Sequence, residues 1–296
     1  MKQVLVLGGT QYFGKKLAEK LIDSGDQVTI ATRGTKEDMF GEKVERLVID
    51  REKKETMVEA FNDRQWDIVY DQSCFSPAEA KDTAEALKGK VNRYIFTSTQ
   101  AVYEFGTLHK ETNFDANTYE IAYKTRRQYP GYEGYQEAKR SSEAVLHQLG
   151  YFDVVSVRFP IVVSEDDYTE RLKYYVDKIV NGEPIVISDP DFRYSFVHAE
   201  EAAGFLLAIG KSDFTGPINP GSRGDISLRE LTDKIAELTG KGAIIKSNVD
   251  TGGLSPYALP GSWSIDTTLA ESLGYRFASL NQLLEDLIQF YIKERK

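Results

Sequence analysis

Short hydrophobic runs rich in valine, leucine and isoleucine recur along the first half of the chain, separated by segments of helix length. Nearly continuous apolar runs are typical of strands that are buried on both faces of a parallel sheet. The runs predict six strands, at residues 4–7, 28–31, 44–49, 67–70, 93–97 and 154–159. Because helix-length segments separate these strands, we predict βαβ units and an α/β fold with a doubly wound parallel sheet.

The segments between the strands carry helical periodicity. Apolar side chains from Phe13 to Ile22 recur at helical spacing, and the sequence from Ser24 to Asp26 ends that helix. A second helix is predicted from Pro77, since proline suits the first turn of a helix. Another helix is predicted over residues 135–148.

The second half of the chain has a more mixed pattern. Its spacing predicts helices at residues 168–180 and 199–209 and strands at residues 184–187 and 196–197. Two capping-box patterns, Ser227 with Glu230 and Ser279 with Gln282, open two further helices.

We predict two structural parts from this change of pattern. Residues 1–160, with residues 196–218 returning to them, form the domain of the doubly wound sheet. Residues 161–195 and 219–296 form a smaller α+β lobe that binds the substrate.

Charge and composition narrow the classes of partner. The chain has 296 residues and a formal net charge of −9, which argues against binding to nucleic acid or to an anionic membrane. A local basic patch could still lie around Lys124, Arg126 and Arg127. The single cysteine, Cys74, excludes an internal disulfide, and three dispersed histidines indicate no metal site. The sequence shows no signal peptide and no apolar stretch of membrane-spanning length, so we expect a cytoplasmic protein.

A glycine-rich loop follows the first strand. Gly8 permits a tight turn, the amides at the start of the next helix can bind a pyrophosphate, and Gly14 allows close packing of that helix on the sheet. This arrangement predicts a Rossmann dinucleotide-binding domain, although an ordinary βα turn would have a similar pattern. The cofactor-binding residues predicted in the loop are Gly8, Thr10, Gln11, Tyr12, Phe13 and Gly14.

The end of the second strand bears on the choice of cofactor. NAD-selective sites usually have a carboxylate at this position, and the chain has Thr32 and Arg33 instead. Arg33, with Lys36, could bind a 2′-phosphate, so we predict NADP, with NAD as the alternative. Arg33 could also be a solvated arginine that stacks on the adenine. Asp50, after the third strand, could bind the adenine amino group or cap the following helix.

Tyr135 and Lys139 are four residues apart, a spacing that places both side chains on one face of a helix. A nearby ammonium group and a positive nicotinamide ring favour the ionised phenol. Tyr135 could then exchange a proton with a substrate hydroxyl while a hydride moves to or from the cofactor. The same spacing also occurs by chance on solvated helix faces.

The strand at residues 93–97 is followed by hydroxyl side chains. We predict that Thr99 hydrogen-bonds the substrate oxygen that Tyr135 protonates, with the neighbouring Ser98 as the alternative. These hydroxyls could instead bond to backbone groups at the end of the strand.

Taken together, these motifs resemble the extended short-chain dehydrogenase/reductase family, in particular its branch of nucleoside-diphosphate-sugar epimerases and dehydratases. The motifs are the glycine loop, residues 96–103, Tyr135 with Lys139, residues 158–160, residues 196–203, and Asp266 followed by residues 273–275. The resemblance implies that Thr99, Tyr135 and Lys139 are the catalytic triad. It also implies that Ser73 and Pro160 lie beside the cofactor, and that Arg193 contacts the substrate diphosphate.

Some positions depart from the family pattern. Gln11 in the glycine loop resembles the atypical branch that includes chloroplast stem-loop RNA-binding proteins. The second diphosphate-binding arginine, expected ahead of Asp266, is missing.

We therefore predict an NAD(P)-dependent epimerase, dehydratase or reductase acting at a carbinol carbon of a small, sugar-like substrate. A nucleotide sugar is one such substrate, and a homodimer is expected from the helical surfaces typical of such proteins. The alternative is a protein without catalysis, either a cofactor-binding regulator or an RNA-binding relative of the stem-loop group.

Overall fold

The computed structural model describes residues 1–247 and 254–295, which fall into two compact units. The first unit contains Met1–Val102, Glu111–Phe159 and Glu200–Ile218, and the second contains Tyr103–Lys110, Pro160–Ala199 and Asn219–Lys296. No helix within the described ranges is both long enough and apolar enough to cross a membrane.

Strands and helices alternate along most of the chain. The strands are β1 (Gln3–Leu7), β2 (Gln27–Thr32), β3 (Val44–Val48), β4 (Ile68–Asp71), β5 (Arg93–Thr99), β6 (Gly106–His109), β7 (Asp153–Phe159), β8 (Ile161–Val163), β9 (Pro184–Val186), β10 (Arg193–Tyr194), β11 (Phe196–His198), β12 (Gly216–Ile218), β13 (Ile226–Ser227), β14 (Ile244–Lys246) and β15 (Trp263–Ile265). The helices are α1 (Tyr12–Asp23), α2 (Lys54–Ala60), α3 (Pro77–Leu87), α4 (Gly131–Leu149), α5 (Arg171–Asn181), α6 (Ala199–Gly210), α7 (Leu228–Thr239), α8 (Thr268–Ser272) and α9 (Leu280–Glu294).

The first unit is built on a seven-stranded parallel sheet with the strand order β12-β7-β5-β4-β1-β2-β3. Strand β1 lies near its centre, and the side chains from Val4 to Leu7 are fully buried. Leu7 pairs with Ala31 of β2 and with Asp71 of β4, so these three strands end together at one edge of the sheet. The prediction of a doubly wound α/β sheet is confirmed.

Helix α4 begins at Gly131, four residues before the predicted start. Pro130 is its N-cap residue, and two glycines in the first turn weaken the helical pattern in the sequence. Gly134 is required there by close packing, because a Cβ atom at this position would lie 2.5 Å from the carbonyl carbon of Tyr129. The helix therefore begins with a turn that hydrophobic periodicity does not indicate.

The second unit contains three small sheets and a group of helices. Its four-stranded sheet has the order β13-β10-β15-β6, and two pairs, β8 with β11 and β9 with β14, form separate ribbons. Residues 103–110, which the sequence pattern assigns to the first domain, belong to this unit because β6 pairs with β15. Helices α5, α7 and α9 pack against one another.

Side-chain capping explains where two of these helices begin, and the backbone conformation of one residue explains the start of a third. Ser227 and Glu230 form the predicted capping box, with reciprocal bonds of 3.1 and 2.8 Å between side chain and backbone. The hydroxyl of Ser279 accepts the N–H of Gln282 at 3.2 Å at the start of α9. Helix α5 begins three residues later than predicted, because Glu170 has a left-handed backbone with φ of +51°.

Candidate active site

The glycine loop between β1 and α1 adopts a backbone that only glycine adopts easily. Gly8 and Gly9 have φ angles of +95° and +79°, and a Cβ atom on Gly9 would lie 2.5 Å from Cγ1 of Val6. At Gly14 a Cβ atom would lie 3.2 Å from Cα of Gly9, so the first turn of α1 packs closely on the loop. The N-cap Gln11 makes no side-chain capping bond. The N–H groups at the start of α1 therefore lack acceptors in the helix and can bind an anion.

A cavity of about 270 Å³ opens at this loop, within the first unit. Six of the predicted cofactor-binding residues line it, namely Gly8, Thr10, Gln11, Arg33, Asp50 and Ser73. The other lining residues are Ala31, Thr32, Thr35, Lys36, Ile49, Arg51, Glu52 and Arg126. The loop after β1 and the ends of β2, β3 and β4 thus share one cavity.

Other predicted site residues lie outside that lining. Tyr12, Phe13, Gly14 and Pro160 are not among the lining residues, and neither are Thr99, Tyr135 and Lys139. The ring of the half-buried Phe13 packs edge-on against Phe159, with 5.5 Å between the two centroids. Tyr12 has a positive φ of 51° at the first position of α1. The roles predicted for these residues stay predictions.

The cavity wall after β2 is cationic. Within the described part of the chain, Arg33 and Lys36 make no ion pair or side-chain hydrogen bond, and no carboxylate stands at the end of β2. On the opposite wall, the carboxylate of Asp50 accepts the N–H of Glu52 at 3.1 Å. The N-cap of α2 is Lys53, so the alternative in which Asp50 caps that helix is wrong.

Lys139 is held at the carboxyl ends of β4 and β5. Its buried ammonium group donates to the carbonyl of Cys74 at 2.8 Å and to the carbonyl of Thr97 at 3.1 Å. The ammonium also lies 4.9 Å from the ring centroid of Phe96. An ammonium has three N–H donors, so one remains after these two bonds among the described residues.

Tyr135 lies one turn before Lys139 on α4. Its ring packs against Phe75, with the two centroids 5.8 Å apart, and Phe75 belongs to the segment that follows β4. In the same segment, Ser73 lies against Gly8, where an added Cβ atom would be 3.2 Å from the Ser73 Cβ. The segment after β4 therefore contacts both the glycine loop and the helix that carries Tyr135 and Lys139.

The two hydroxyls at the end of β5 have different partners. Ser98 is buried and donates to the carboxylate of Glu143 at 2.6 Å, and Glu143 forms a fully buried ion pair with Arg158. Among the described residues, Thr99 makes one hydrogen bond, in which it accepts the N–H of Ala101 at 3.2 Å, so its hydroxyl proton is left for another acceptor. This difference favours Thr99 over Ser98 as a substrate-binding hydroxyl.

Beneath the cavity lies a buried polar network. Asp71, at the end of β4, accepts hydrogen bonds from Arg51 and from the hydroxyl of Tyr94. Burial alone would raise the pKa of the Asp71 carboxyl, but the Arg51 guanidinium holds it below its ordinary value. Nearby, Arg126 donates to the carboxylate of Glu79 at 2.6 and 2.9 Å. Sequence reasoning did not assign roles to these residues, since they are far apart in the chain.

Gln72 and Cys74 lie on either side of Ser73 in the segment after β4. The amide oxygen and nitrogen of Gln72 are buried and have no hydrogen-bond partner among the described residues, and its side chain lies against Gly8 and Gly14. Burial raises the pKa of the Cys74 thiol to about 12, so this cysteine stays protonated and is a poor nucleophile. An unpaired amide beside open helix N–H groups fits a polar ligand such as a dinucleotide.

Comparison with known protein families agrees with the family that the sequence motifs resemble. Residues 4–219 match the model of the NAD dependent epimerase/dehydratase family. The chain belongs to the NAD-dependent epimerase/dehydratase family. The predicted family is thereby confirmed.

The curated relatives of this epimerase/dehydratase are distant. It is 25% identical to chloroplast stem-loop binding protein of 41 kDa b from Arabidopsis thaliana over 224 residues, which are 71% of this chain and 55% of that protein. It is 24% identical to UDP-glucuronic acid decarboxylase 1 from the same plant over 282 residues, which are 84% of this chain and 61% of that protein. The chain thus spans just over half the length of these two relatives.

Solved structures share the fold of this epimerase/dehydratase. UDP-glucose 4-epimerase from Thermotoga maritima, solved with UDP-glucose, has a TM-score of 0.74 and 18% identity, covering 99% of both chains. The dTDP-glucose 4,6-dehydratase from Bacillus anthracis, solved with NAD, has a TM-score of 0.72 and 16% identity, covering 99% of this chain and 97% of that one.

Arg193 of the epimerase/dehydratase lies in β10 and is already paired. Its Nε donates to the carboxylate of Asp225 at 2.6 Å, and its Nη2 lies 3.1 Å from the carboxylate of Glu230. A substrate diphosphate at this arginine would compete with two carboxylates. The contact with a diphosphate therefore stays a prediction, and the local charge does not favour it.

The local basic patch considered around residues 124–127 is largely neutralised. Arg126 pairs with Glu79 and Arg127 pairs with Glu52, at 2.6 and 3.1 Å. These ion pairs remove the cationic surface that a nucleic acid would need there.

Proposed function

We propose that this enzyme is an epimerase, dehydratase or reductase that transfers a hydride at a carbinol carbon of a sugar-like substrate, with Tyr135 as the proton-transfer group. The observation that carries the proposal is the position of Lys139. Its ammonium group is fixed between the ends of β4 and β5, one helical turn from Tyr135. The epimerases and decarboxylases that the chain resembles support a nucleotide sugar as the substrate class.

Each side chain of the site has a separate role in this reaction. When bound, the nicotinamide dinucleotide supplies the hydride acceptor. Tyr135 takes the proton of the substrate hydroxyl, or returns it, and Thr99 donates a hydrogen bond to the same oxygen. Lys139 stabilises the ionised phenol and offers its remaining N–H to a ribose hydroxyl of the cofactor.

The cofactor-binding residues would act at several points of the dinucleotide. The N–H groups around Thr10 and Gln11 would hold the pyrophosphate, Asp50 the adenine amino group, and Ser73 the nicotinamide end. Arg33 and Lys36 would bind the 2′-phosphate of NADP, because two cations without a protein carboxylate partner favour an anion. We propose NADP as the cofactor on this ground.

A role without catalysis is not favoured. The chain resembles a stem-loop binding protein, yet its formal net charge is −9 and its candidate basic patch is paired with carboxylates. A regulator that only binds the cofactor would have no need for a tyrosine beside the buried lysine.

The variant Tyr135→Phe tests the proposal. The probes are UDP-glucose, UDP-glucuronate and dTDP-glucose, and the signal is reduction of bound NADP⁺ or NAD⁺ at 340 nm in a single turnover. We expect the rate to fall by about 100-fold or more, since general acid–base catalysis contributes about 10²–10⁴. The dissociation constant of NADPH should change little.

Tyr151→Phe is the matched control, because its hydroxyl has no hydrogen-bond partner among the described residues and the ring packs under Lys88. Its rate should equal that of the wild type. An unchanged rate in Tyr135→Phe would remove Tyr135 from the chemistry, and absence of hydride transfer with all three probes would contradict a nucleotide-sugar substrate.

A further inference from the structure

A buried carboxylate organises the turn after β4. Asp71 is fully buried, and its Oδ1 accepts the backbone N–H of Ser73 at 3.2 Å and of Cys74 at 3.0 Å. Its Oδ2 accepts Nη2 of Arg51 at 2.7 Å and the hydroxyl of Tyr94. One side chain thus fixes the orientation of two successive peptide groups.

The turn fixed in this way carries one of the two acceptors of Lys139. The carbonyl of Cys74 receives a 2.8 Å hydrogen bond from the ammonium group. Because the peptide group that ends in the Cys74 N–H is tied to Asp71, the Cys74 carbonyl can reorient only by rotation about the φ and ψ bonds of that one residue. The position of the ammonium therefore depends on Asp71 through a single residue.

Arg51 connects the same pair to the cofactor cavity. Its guanidinium lines the cavity and donates to the hydroxyl of Ser73 at 3.2 Å, in addition to its bonds to Asp71. The ion pair is therefore in contact with the turn on one side and with the dinucleotide cavity on the other.

Fold stability alone does not account for this pair. Apolar side chains of similar volume often replace a buried ion pair without loss of stability. Another buried pair of this unit, Glu143 with Arg158, anchors a loop, because Arg158 donates to the carbonyls of Glu111 and Phe114 at 2.7 and 3.0 Å. Arg51 and Asp71 instead converge on the short turn that holds Lys139.

We propose that Asp71 is a positioning residue for Lys139, which it sets through the turn at Ser73 and Cys74, and that Arg51 holds this carboxylate in place beside the dinucleotide cavity. The inference rests on the proposed function, in which Lys139 binds the cofactor ribose. The proposal predicts that the affinity for NADPH depends on the residue at position 71 only when Lys139 is present.

The test compares two proteins that differ only in the capping oxygen. Both carry Arg51→Met and Tyr94→Phe, so that no charge or phenol is left buried without a partner. One then carries Asp71→Asn, which keeps an oxygen that can accept the two N–H groups. The other carries Asp71→Leu, which has the same branched heavy-atom skeleton and no acceptor. Each is also made with Lys139→Met, and NADPH binding is measured by fluorescence, with thermal unfolding as the check on folding.

We expect Asp71→Leu to weaken NADPH binding by about fivefold or more relative to Asp71→Asn when Lys139 is present. With Lys139→Met in both proteins, the two affinities should agree within about twofold. Equal weakening with and without Lys139, or no weakening at all, would overturn the inference, since a general structural effect does not depend on that lysine.

The outcomes separate this inference from the proposed function. If Lys139→Met alone leaves the NADPH affinity of the wild type unchanged, the proposed role of Lys139 fails and the inference falls with it. If Lys139→Met weakens binding but the exchange at position 71 does not, only the inference fails.

If the Asp71→Leu protein does not unfold cooperatively, amide hydrogen exchange of the wild type and of Lys139→Met provides a second test. In the wild type, NADPH should slow exchange at the Cys74 N–H, because the bound lysine holds the turn more firmly. In Lys139→Met this slowing should be absent. Exchange at Cys74 that does not respond to NADPH in the wild type would contradict the inference.

Discussion

At the carboxyl edge of the sheet, some polar side chains are already hydrogen-bonded within the protein, and others have donors or acceptors to spare. Ser98 is committed to Glu143, whereas Thr99 accepts only one backbone N–H. Arg126 is bound to Glu79 through two nitrogens, whereas Arg33 has no partner among the described residues. Polar groups whose partners lie outside the protein are the ones that a ligand can use.

Arg33→Ala tests this distinction at the cofactor. Loss of a charged contact with the 2′-phosphate should weaken NADPH binding by about tenfold or more, while NADH binding should change little. Arg64→Ala removes a surface arginine of the same unit that pairs with Glu45, and serves as the control. Both dissociation constants can be measured by nucleotide fluorescence. Equal losses for NADPH and NADH would mean that Arg33 contacts a part shared by the two cofactors.

Helix α4 carries four side chains with specific contacts, spaced at intervals of four residues. Tyr135 packs on Phe75, Lys139 bonds to the ends of two strands, Glu143 pairs with Arg158, and Nε2 of His147 lies 2.9 Å from the hydroxyl of Ser156. One face of the helix therefore runs from the proposed catalytic groups to a structural ion pair. The contacts of Glu143 and His147 therefore fix the position of Tyr135 and Lys139 on the same helix.

The row predicts a pH effect on stability through His147. Burial lowers the pKa of this imidazole below its ordinary value of 6.5, so the folded protein keeps it neutral while the unfolded chain protonates it. Its contribution to stability is full above about pH 6.5 and declines as the pH falls below that value.

Urea unfolding at pH 7.5 and 5.5 checks this effect. The wild type should lose more unfolding free energy on acidification than His147→Gln, which keeps a hydrogen-bonding side chain but does not titrate. An equal loss in the two proteins would show that another group is responsible.

At the scale of the whole molecule, the parts that local patterns control were predictable. Hydrophobic periodicity predicts six of the seven strands of the parallel sheet, all but β12, and the glycine spacing predicts a loop whose φ angles are positive at Gly8 and Gly9. The extra first turn of α4 was not predictable, because its two glycines are poor helix formers and packing against Tyr129 overrides their propensity.

The buried network was not predictable for a different reason. Arg51, Asp71, Glu79 and Arg126 come from four segments, and only the fold brings them together. In the sequence, the polar residues Asp71, Gln72 and Ser73 directly follow a predicted buried strand, and this was the one local signal. Pairing partners that are separated by 20 residues or more leave no local pattern in one sequence.

A crystal structure of the enzyme with NADP⁺ tests the central claim most directly. The pyrophosphate should accept hydrogen bonds from the N–H groups at the start of α1, and a ribose hydroxyl should lie within about 3.2 Å of the Lys139 ammonium, with the Tyr135 hydroxyl facing the nicotinamide. A dinucleotide bound elsewhere, or bound at the glycine loop with Tyr135 and Lys139 out of hydrogen-bonding reach, would contradict the account.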